Sequence, residues 1–550
     1  MKKTYIAGGL IFWAGLSGYM GLRILESYTE DAVFAALSAV PAQAQEIRYS
    51  FLSNTLRLKG VEYEVPDDKI MHKGTIENVE VKGFNRKCMF VKPDMPAYDA
   101  DALPIVAESI TITGLNDKQH IAKTKIEQTI GTVHIQGWYQ RLGILLDQRQ
   151  QHKGEASYYE EAYRYRLDGM EINNLSLTYT EPELSPVAID IDSIALTEGV
   201  RAPRGSEKVS PFSLTWSGIR FSEKDNPSSK VSGGIQRLDI KDVLLPEPDT
   251  MAALVRMTSK LLDAENLEAD ADSGDYLLDT QIENIVMLLE KYYASRLPIS
   301  HFGMQGFNLC FDEDKHAASG EPSLAVNMHN FGYTMGLTGA GAYKNTMVLD
   351  DLKVTSSALS RDAVIARYAP EGFTLNASGE TLTDDTKIEG KARYELEGLG
   401  ELETSLVLSG DIKNLQLLSV SDIDDLDPYD LMQRVYLNNL NIKYKDSGLL
   451  ALAIESLAKS NFQSPDVVLS QIMQNLQMIA SVPDNMPQQC GKALMEQFTQ
   501  PGTFQMAFSA DAPMSFMALF SMVMAEPGSL PLTFSSTPGQ KALKDYFPKQ

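Results

Sequence analysis

The chain has 550 residues, of which 43% are hydrophobic and 22% are charged, and these values are ordinary for a globular protein. They exclude a wholly disordered chain, a protein with many membrane spans and a low-complexity chain. The 49 basic and 73 acidic residues give a formal net charge of −24, which repels a phosphate backbone. Because the basic residues form no cluster, we expect no nucleic-acid partner.

The N-terminus carries one uncharged, apolar run, from Tyr5 to Leu22. A helix rises 1.5 Å per residue, so a run of this length just crosses a bilayer core of ~30 Å. Lys2 and Lys3 precede it and place the N-terminus in the cytoplasm by the positive-inside rule, although Arg23 weakens that bias. The sequence therefore predicts a single-pass anchor at residues 5–22, with the bulk of the chain exported.

A cleaved signal peptide is the alternative interpretation of the same run. The best small-x-small cleavage site, Ala42-Gln43-Ala44, lies about twenty residues beyond the apolar run, which is farther than signal peptidases usually cut. Both interpretations export the remainder of the chain.

The three cysteines, Cys88, Cys310 and Cys490, are odd in number and widely spaced. This excludes a disulfide framework and a C-x-x-C metal or redox site. One oxidised pair remains an open alternative, and buried free thiols are the favoured interpretation.

A short pattern recurs along the chain: an apolar residue, two spacers, then two apolar residues separated by one polar residue, often followed by Gly, Asn or Asp. Alternation at period two is what a strand with one buried face requires. The pattern therefore predicts a long, mostly antiparallel sheet. Its nine occurrences are Ile76–Gly83, Ala107–Gly114, Ile130–Gly137, Leu167–Asn174, Ile191–Glu198, Ile235–Asp242, Leu349–Ser356, Ile412–Leu417 and Leu437–Tyr444.

Amphipathic helical patterns accompany these strands. One spans Glu26–Val40 and ends at Pro41, and three others follow occurrences of the strand pattern, the last through Asp446 and Gly448 as a helix-capping region. We predict an α+β fold, with a long curled antiparallel sheet, covering helices and one N-terminal transmembrane helix. The predicted segments are 1–25 (transmembrane signal-anchor), 26–246 (N-terminal β-rich domain), 247–300 (helical pair with an acidic linker), 301–421 (second β-rich region) and 422–550 (helices and a C-terminal strand–helix–strand).

Sequence motifs for catalysis or metal binding are weak or incomplete. Ser456-Leu-Ala-Lys459 matches S-x-x-K, but the S-D-N and K-T-G motifs that accompany it in serine acyl-enzymes are missing. The seven histidines include no H-x-x-x-H pair. Asp270–Asp275 resembles a calcium loop, but Gln281 stands where a bidentate Glu is needed. We therefore predict no catalytic residue, cofactor or metal site.

The segment Pro513–Met524 is apolar nearly all round. A helix of this kind must be buried, contact lipid or line an apolar cavity, and it is too short to span a bilayer. Methionine-rich surfaces are soft and suit acyl chains, while ordinary core packing is the alternative. The predicted lining residues of a hydrophobic-ligand site are Met514, Phe516, Met517, Phe520, Val523 and Met524.

Four features together resemble the YdgA-like and AsmA-like envelope proteins of Gram-negative bacteria. They are the N-terminal anchor, strands of the Val79–Gly83 kind, the strand–helix pattern Leu437–Leu449, and the closing Pro501–Phe508 strand followed by Ala512-Pro513 and a helix. The resemblance implies a periplasmic protein anchored in the inner membrane, with a curled sheet. For the AsmA-like group it implies a hydrophobic groove linked to phospholipid movement between membranes. This chain is too short for a groove that spans the envelope, and the resemblance carries no active site.

The sequence thus predicts a non-enzymatic, membrane-anchored periplasmic protein that binds phospholipid or supports envelope assembly, with phospholipid or envelope proteins as partners. A structural or interaction module with a closed core and an acidic surface is the alternative. An enzyme whose residues converge only in the fold is the third hypothesis.

Overall fold

The computed structural model describes most of the chain, and the predicted anchor at residues 5–22 lies outside the described residues. So do the predicted helices that follow the occurrences at 130–137 and 235–242. Among the helices that are described, none has the length and hydropathy to cross a bilayer. The described residues are 27, 29–31, 33, 42–67, 70–85, 105–121, 124–140, 165–181, 185–197, 212–223, 230–243, 299–312, 323–338, 342–412, 432–482, 485–508, 510–525 and 527–548.

These residues form 19 strands of one antiparallel sheet. The strands are β1 Ala42–Ser50, β2 Thr55–Asp67, β3 Ile70–Lys82, β4 Ile105–Ile121, β5 Thr124–Gln140, β6 Tyr165–Thr180, β7 Val187–Thr197, β8 Phe212–Glu223, β9 Lys230–Val243, β10 His301–Asp312, β11 Leu324–Leu337, β12 Tyr343–Thr355, β13 Phe373–Thr383, β14 Lys387–Leu396, β15 Gly400–Gly410, β16 Val435–Asp446, β17 Thr503–Phe508, β18 Met514–Ser515 and β19 Leu532–Thr537.

The α-helices whose bounds the described residues give all follow β12. They are α1 Ser357–Arg361, α2 Ile365–Tyr368, α3 Leu449–Ser460, α4 Pro465–Ala480, α5 Asn485–Thr499 and α6 Phe516–Ala525, with 3₁₀ turns at Pro527–Ser529 and Leu543–Tyr546. The prediction of a large antiparallel sheet accompanied by helices is confirmed. The described part of the chain is mostly β, however, rather than an even mixture of helix and sheet.

The chain divides into two compact units. The first contains the described residues before Pro227 and those of β9 from Arg237 onward, and the second contains β9 up to Gln236 and the described residues from Ile299 onward. Within the first unit each strand from β1 to β8 pairs with the next one. In the second unit β10 to β16 do the same, and β16 then pairs with both β17 and β18.

One face of the first unit is apolar because the strand register brings like residues together. Directly paired positions on seven successive strands form a single row of apolar side chains. This apolar row consists of Leu58, Val79, Ile112, Val133, Ile172, Ile194 and Trp216. Side chains alternate between faces along a strand. A register shift of one residue would therefore expose a strand's apolar side chains to water.

Helical residues near the N-terminus cover the beginning of this face. Val33 belongs to a core cluster with Tyr49, Leu56 and Ile110. The Tyr49 N–H also donates to a Glu30 carboxylate oxygen at 2.6 Å. The helix predicted at Glu26–Val40 therefore packs on the sheet, at least through those of its residues that are described.

The opposite face of the first unit is polar. Here the paired residues hydrogen-bond across strands: Arg57 Nε donates to Glu80 at 2.8 Å, and Thr215 Oγ1 donates to Asp239 at 2.8 Å. The exposed Arg57–Glu80 ion pair contributes about 0–1 kcal/mol to stability, whereas Asp239 is only 9% exposed.

The two-residue spacer in the repeated motif marks a break in the strands. On each of β1 to β8 the register passes over a residue between paired positions, and these residues form a row that we call the crease row. On β3, β5 and β7 they lie in the spacer of the motif. Positive φ angles recur in the crease row on alternate strands: Gly60 (57°), Gly114 (64°), Asn174 (56°) and Gly218 (63°). The crease row consists of Gln45, Gly60, Glu77, Gly114, Gly131, Asn174, Asp192 and Gly218.

The crease has a physical cause. A residue with positive φ interrupts the regular alternation of a strand, which lets apolar residues three apart serve the same face. Side chains of the neighbouring strand then lie over the glycines: a Cβ on Gly114 would come within 2.4 Å of the Glu77 side chain. The second unit repeats the arrangement, with Gly306 at a φ of 61° beneath Gln236 and with Asp351 at 51°.

We predict that Gly306→Ala destabilises the second unit by about 1–2 kcal/mol, because alanine is strained at positive φ and its Cβ would meet the Gln236 side chain. Gly336→Ala is the matched control, since it lies in β11 with no atom within 4 Å of an added Cβ. The control variant should match or slightly exceed the parent chain in stability. Urea unfolding of both variants measures the difference, and equal effects would contradict the role of the crease.

Candidate functional site: the apolar C-terminal helix

Helix α6 starts directly from the sheet. Met514 pairs with Leu437 of β16 in the short strand β18. The hydroxyl of Ser515 then accepts a hydrogen bond from the Ala518 N–H at 3.2 Å, as a helix N-cap does. These two contacts hold the first turn of α6 against the second unit.

The first turn of α6 is part of a hydrophobic core. Phe516 and Leu519 pack, together with Met514, against a cluster of buried side chains from β15 to β17 and their flanking residues. The cluster consists of Leu408, Ile412, Val435, Leu437 and Phe508. This end of the helix therefore follows the core-packing alternative.

The last turn leaves that core. Phe520, Val523 and Met524 are 49%, 48% and 72% exposed, and none of the ten residues described for α6 is fully buried. Phe516, Phe520 and Val523 follow one another at i, i+4 and i+7, so they share one face of the helix. A continuous apolar stripe thus begins in the core and ends in solvent.

The six predicted lining residues therefore differ in burial: some contact the core and others lie at the surface. Met514 and Phe516 contact the core, Met517 is half-buried, and Phe520, Val523 and Met524 lie at the surface. Their role in holding a hydrophobic ligand stays a prediction.

A polar cluster that the sequence analysis missed fixes α3 to α2. Glu455 is 4% exposed and lies on the face of α3 that also buries Ala451 and Ile454. Its carboxylate accepts hydrogen bonds from Arg367 at 2.5 Å and from the Tyr368 hydroxyl at 2.6 Å. A single acid among apolar helix positions is the signal that could have revealed the cluster, since a buried charge requires partners.

A second carboxylate caps the N-terminus of α3. Asp446, 7% exposed, accepts bonds from the Gly448 and Leu450 N–H groups at 3.1 and 3.0 Å and from the Tyr444 hydroxyl at 2.6 Å. The predicted capping region is therefore confirmed. Anions are favoured at this end of a helix by the unpaired N–H groups and the helix dipole.

The two tyrosines stay protonated in this environment. Burial, and then the hydrogen bond to Glu455, raises the pKa of Tyr368 above its usual range. Burial and the bond to Asp446 raise the pKa of Tyr444 in the same way. Both act as hydrogen-bond donors to carboxylates, and this arrangement positions helices rather than activating a nucleophile.

The lysine of the S-x-x-K motif is bound to a residue outside the motif. Lys459 Nζ donates to Asp362 at 2.7 Å, which ties the end of α3 to the segment between α1 and α2. Of the cysteines, Cys310 and Cys490 are free thiols that are half-buried rather than buried, and burial raises the pKa of Cys490. Cys88 and the calcium-like segment 270–275 lie outside the described residues.

Within the described ranges, no group of three His, Cys, Asp or Glu residues is placed to hold a metal ion.

We predict a specific alkaline response from Tyr368 and Tyr444, which are half-buried. Their folded pKa values lie above that of an unfolded tyrosine, so the stability they contribute is present below about pH 10 and is lost as the pH rises further. The double variant Tyr368→Phe/Tyr444→Phe should therefore release two fewer protons on unfolding above about pH 10. Urea unfolding from about pH 8 to about pH 11.5 measures this, and an unchanged pH slope would contradict it.

Comparisons with known proteins add little to this description. A family model described as "Uncharacterized protein" matches residues 393–537, and no curated protein matches the chain. Three chains of known structure match. One is a mutant porin of Rh. blastica, with 10% identity over 64% of this chain and 85% of that chain and a TM-score of 0.14. A TM-score this low does not establish a shared fold.

Proposed function

We propose that this chain is a non-enzymatic periplasmic protein, held in the bacterial inner membrane by residues 5–22, that binds phospholipid through α6. The observation that carries the proposal is the exposed end of the apolar stripe, at Phe520, Val523 and Met524. An acyl chain lying along this stripe would remove the exposed side chains from water while extending a core that already exists.

The energetics favour an apolar ligand. Burying each methylene of an acyl chain contributes about 0.8 kcal/mol, and methionine adapts its shape to an irregular chain. Met517, Met522 and Met524 supply such adaptable contacts on α6. A polar or charged ligand would find few hydrogen-bonding partners here, because Ser521 already donates its hydroxyl hydrogen to the Met517 carbonyl oxygen at 2.9 Å.

The first unit supports the same proposal. Six of the seven side chains of its apolar row are only half-buried, and Val133 is the buried one. A sheet face with this character offers a second surface for lipid. The resemblance to YdgA-like and AsmA-like envelope proteins points in the same direction and belongs to the proposal.

We expect the full chain, purified in a mild detergent, to carry phospholipid that native mass spectrometry detects. Phe520→Asp should lower the lipid occupancy about tenfold, because a carboxylate beside an acyl chain loses its hydration. The side chain is already 49% exposed, so the variant should keep the thermal midpoint of the parent chain.

Met478→Asp is the matched control, since Met478 is 60% exposed on α4 and undergoes the same kind of change. It should leave lipid occupancy unchanged. A parent chain without bound lipid, or equal loss in both variants, would favour the alternative of an interaction module with a closed core.

A further inference from the structure

The turn between α3 and α4 places an aromatic residue where helices usually end in glycine. The Gln463 N–H donates to the Ala458 carbonyl at 2.9 Å, and the Phe462 N–H donates to the Lys459 carbonyl at 3.3 Å. These two bonds are the Schellman pattern of a helix C-terminus, in which the residue after the C-cap adopts the left-handed conformation. Here that residue is Phe462, with a φ of 54°.

Phe462 is unfavourable for folding in two independent ways. Left-handed backbone is uncommon for residues other than glycine, and a bulky side chain there is an outlier. The side chain is also 97% exposed, so the ring gains nothing from burial. A strained and exposed aromatic residue points to a contact made outside the folded chain.

The exposure and charge of the residues around Phe462 indicate which kind of partner the turn could contact. Leu457 and Val467, on the helices that flank the turn, are 47% and 45% exposed. Residues 456–465 carry a single charge, that of Lys459, and Lys459 is paired with Asp362. The tip is therefore apolar, with the exposed carboxylate of Asp466 next to Val467, on a chain whose net charge is −24.

We propose that the α3–α4 turn docks on the surface of a bilayer of zwitterionic phospholipid, with Phe462 inserted at the level of the headgroups. A protruding apolar tip suits a soft interface, where aromatic and aliphatic side chains insert beside polar groups. A zwitterionic surface avoids the repulsion that anionic headgroups would exert on Asp466 and on a chain whose net charge is −24. This site is separate from α6 and does not depend on a bound acyl chain there.

The test uses the full chain reconstituted in phosphatidylcholine vesicles, with and without bromine on the acyl chains. In Phe462→Trp, the added tryptophan fluorescence, relative to the parent chain with its three tryptophans, should shift to the blue and be quenched by brominated lipid. Leu52→Trp is the control, since Leu52 is 86% exposed on the β1–β2 turn, and it should stay unquenched. Absence of quenching at position 462, or equal quenching at both positions, overturns the proposal.

The variant Phe462→Gly distinguishes a role of the Phe462 ring in docking from a role in folding stability. Glycine suits the left-handed position, so the thermal midpoint should equal or exceed that of the parent chain. A midpoint clearly below the parent value would show a structural role for the ring and overturn the proposal. Unquenched fluorescence in Phe462→Trp, together with a dimer that Phe462→Gly abolishes, would assign the turn to self-association instead. Lipid loss in Phe520→Asp leaves these outcomes unaffected, so the two proposals fail separately.

Discussion

The register of the strands is the constraint on which the described structure depends. Because side chains alternate between the two faces, apolar residues form a continuous surface only when paired positions match on every strand. In the first unit the row that includes Val79, Ile112 and Val133 meets this condition, while Glu80 and Arg57 meet on the other face. The crease row preserves the match where the motif contains two spacers. Its glycines are therefore required by the backbone and do not mark flexible points.

Within the second unit, α3 packs in a core of helical and C-terminal residues, and polar contacts hold it in place. The carboxylates of Asp446 and Glu455 fix the start and the middle of α3 through tyrosine hydroxyls, an arginine and backbone N–H groups. Buried charges with this many partners specify one arrangement of the helix, because any other arrangement would leave them unpaired. The titratable groups of this region thus have a structural explanation.

Among the exposed apolar groups of the described residues, two stand out because folding does not explain them. The last turn of α6 exposes a stripe that begins in the core, and Phe462 occupies a position that favours glycine. Among the described residues, both lie in the helix-rich C-terminal part of the chain. Both leave hydrophobic side chains in contact with water. The two proposals assign them different contacts, the α6 stripe with single acyl chains and Phe462 with a bilayer surface.

Periodicity alone determined most of the local structure. The strand at Leu437–Tyr444 and the helices near 449–459 and 465–480 were predictable because apolar spacing differs between strand and helix, and because Asp446 and Gly448 mark a helix start. The half-exposed state of α6, the partners of Glu455 and the crease could not be predicted, since each depends on residues far apart in the chain. Tyr368 and Glu455, 87 positions apart, meet only when the sheet aligns them. Sequence thus determined which faces are apolar, whereas tertiary packing decided which apolar groups are covered, because cover requires neighbours that local spacing does not specify.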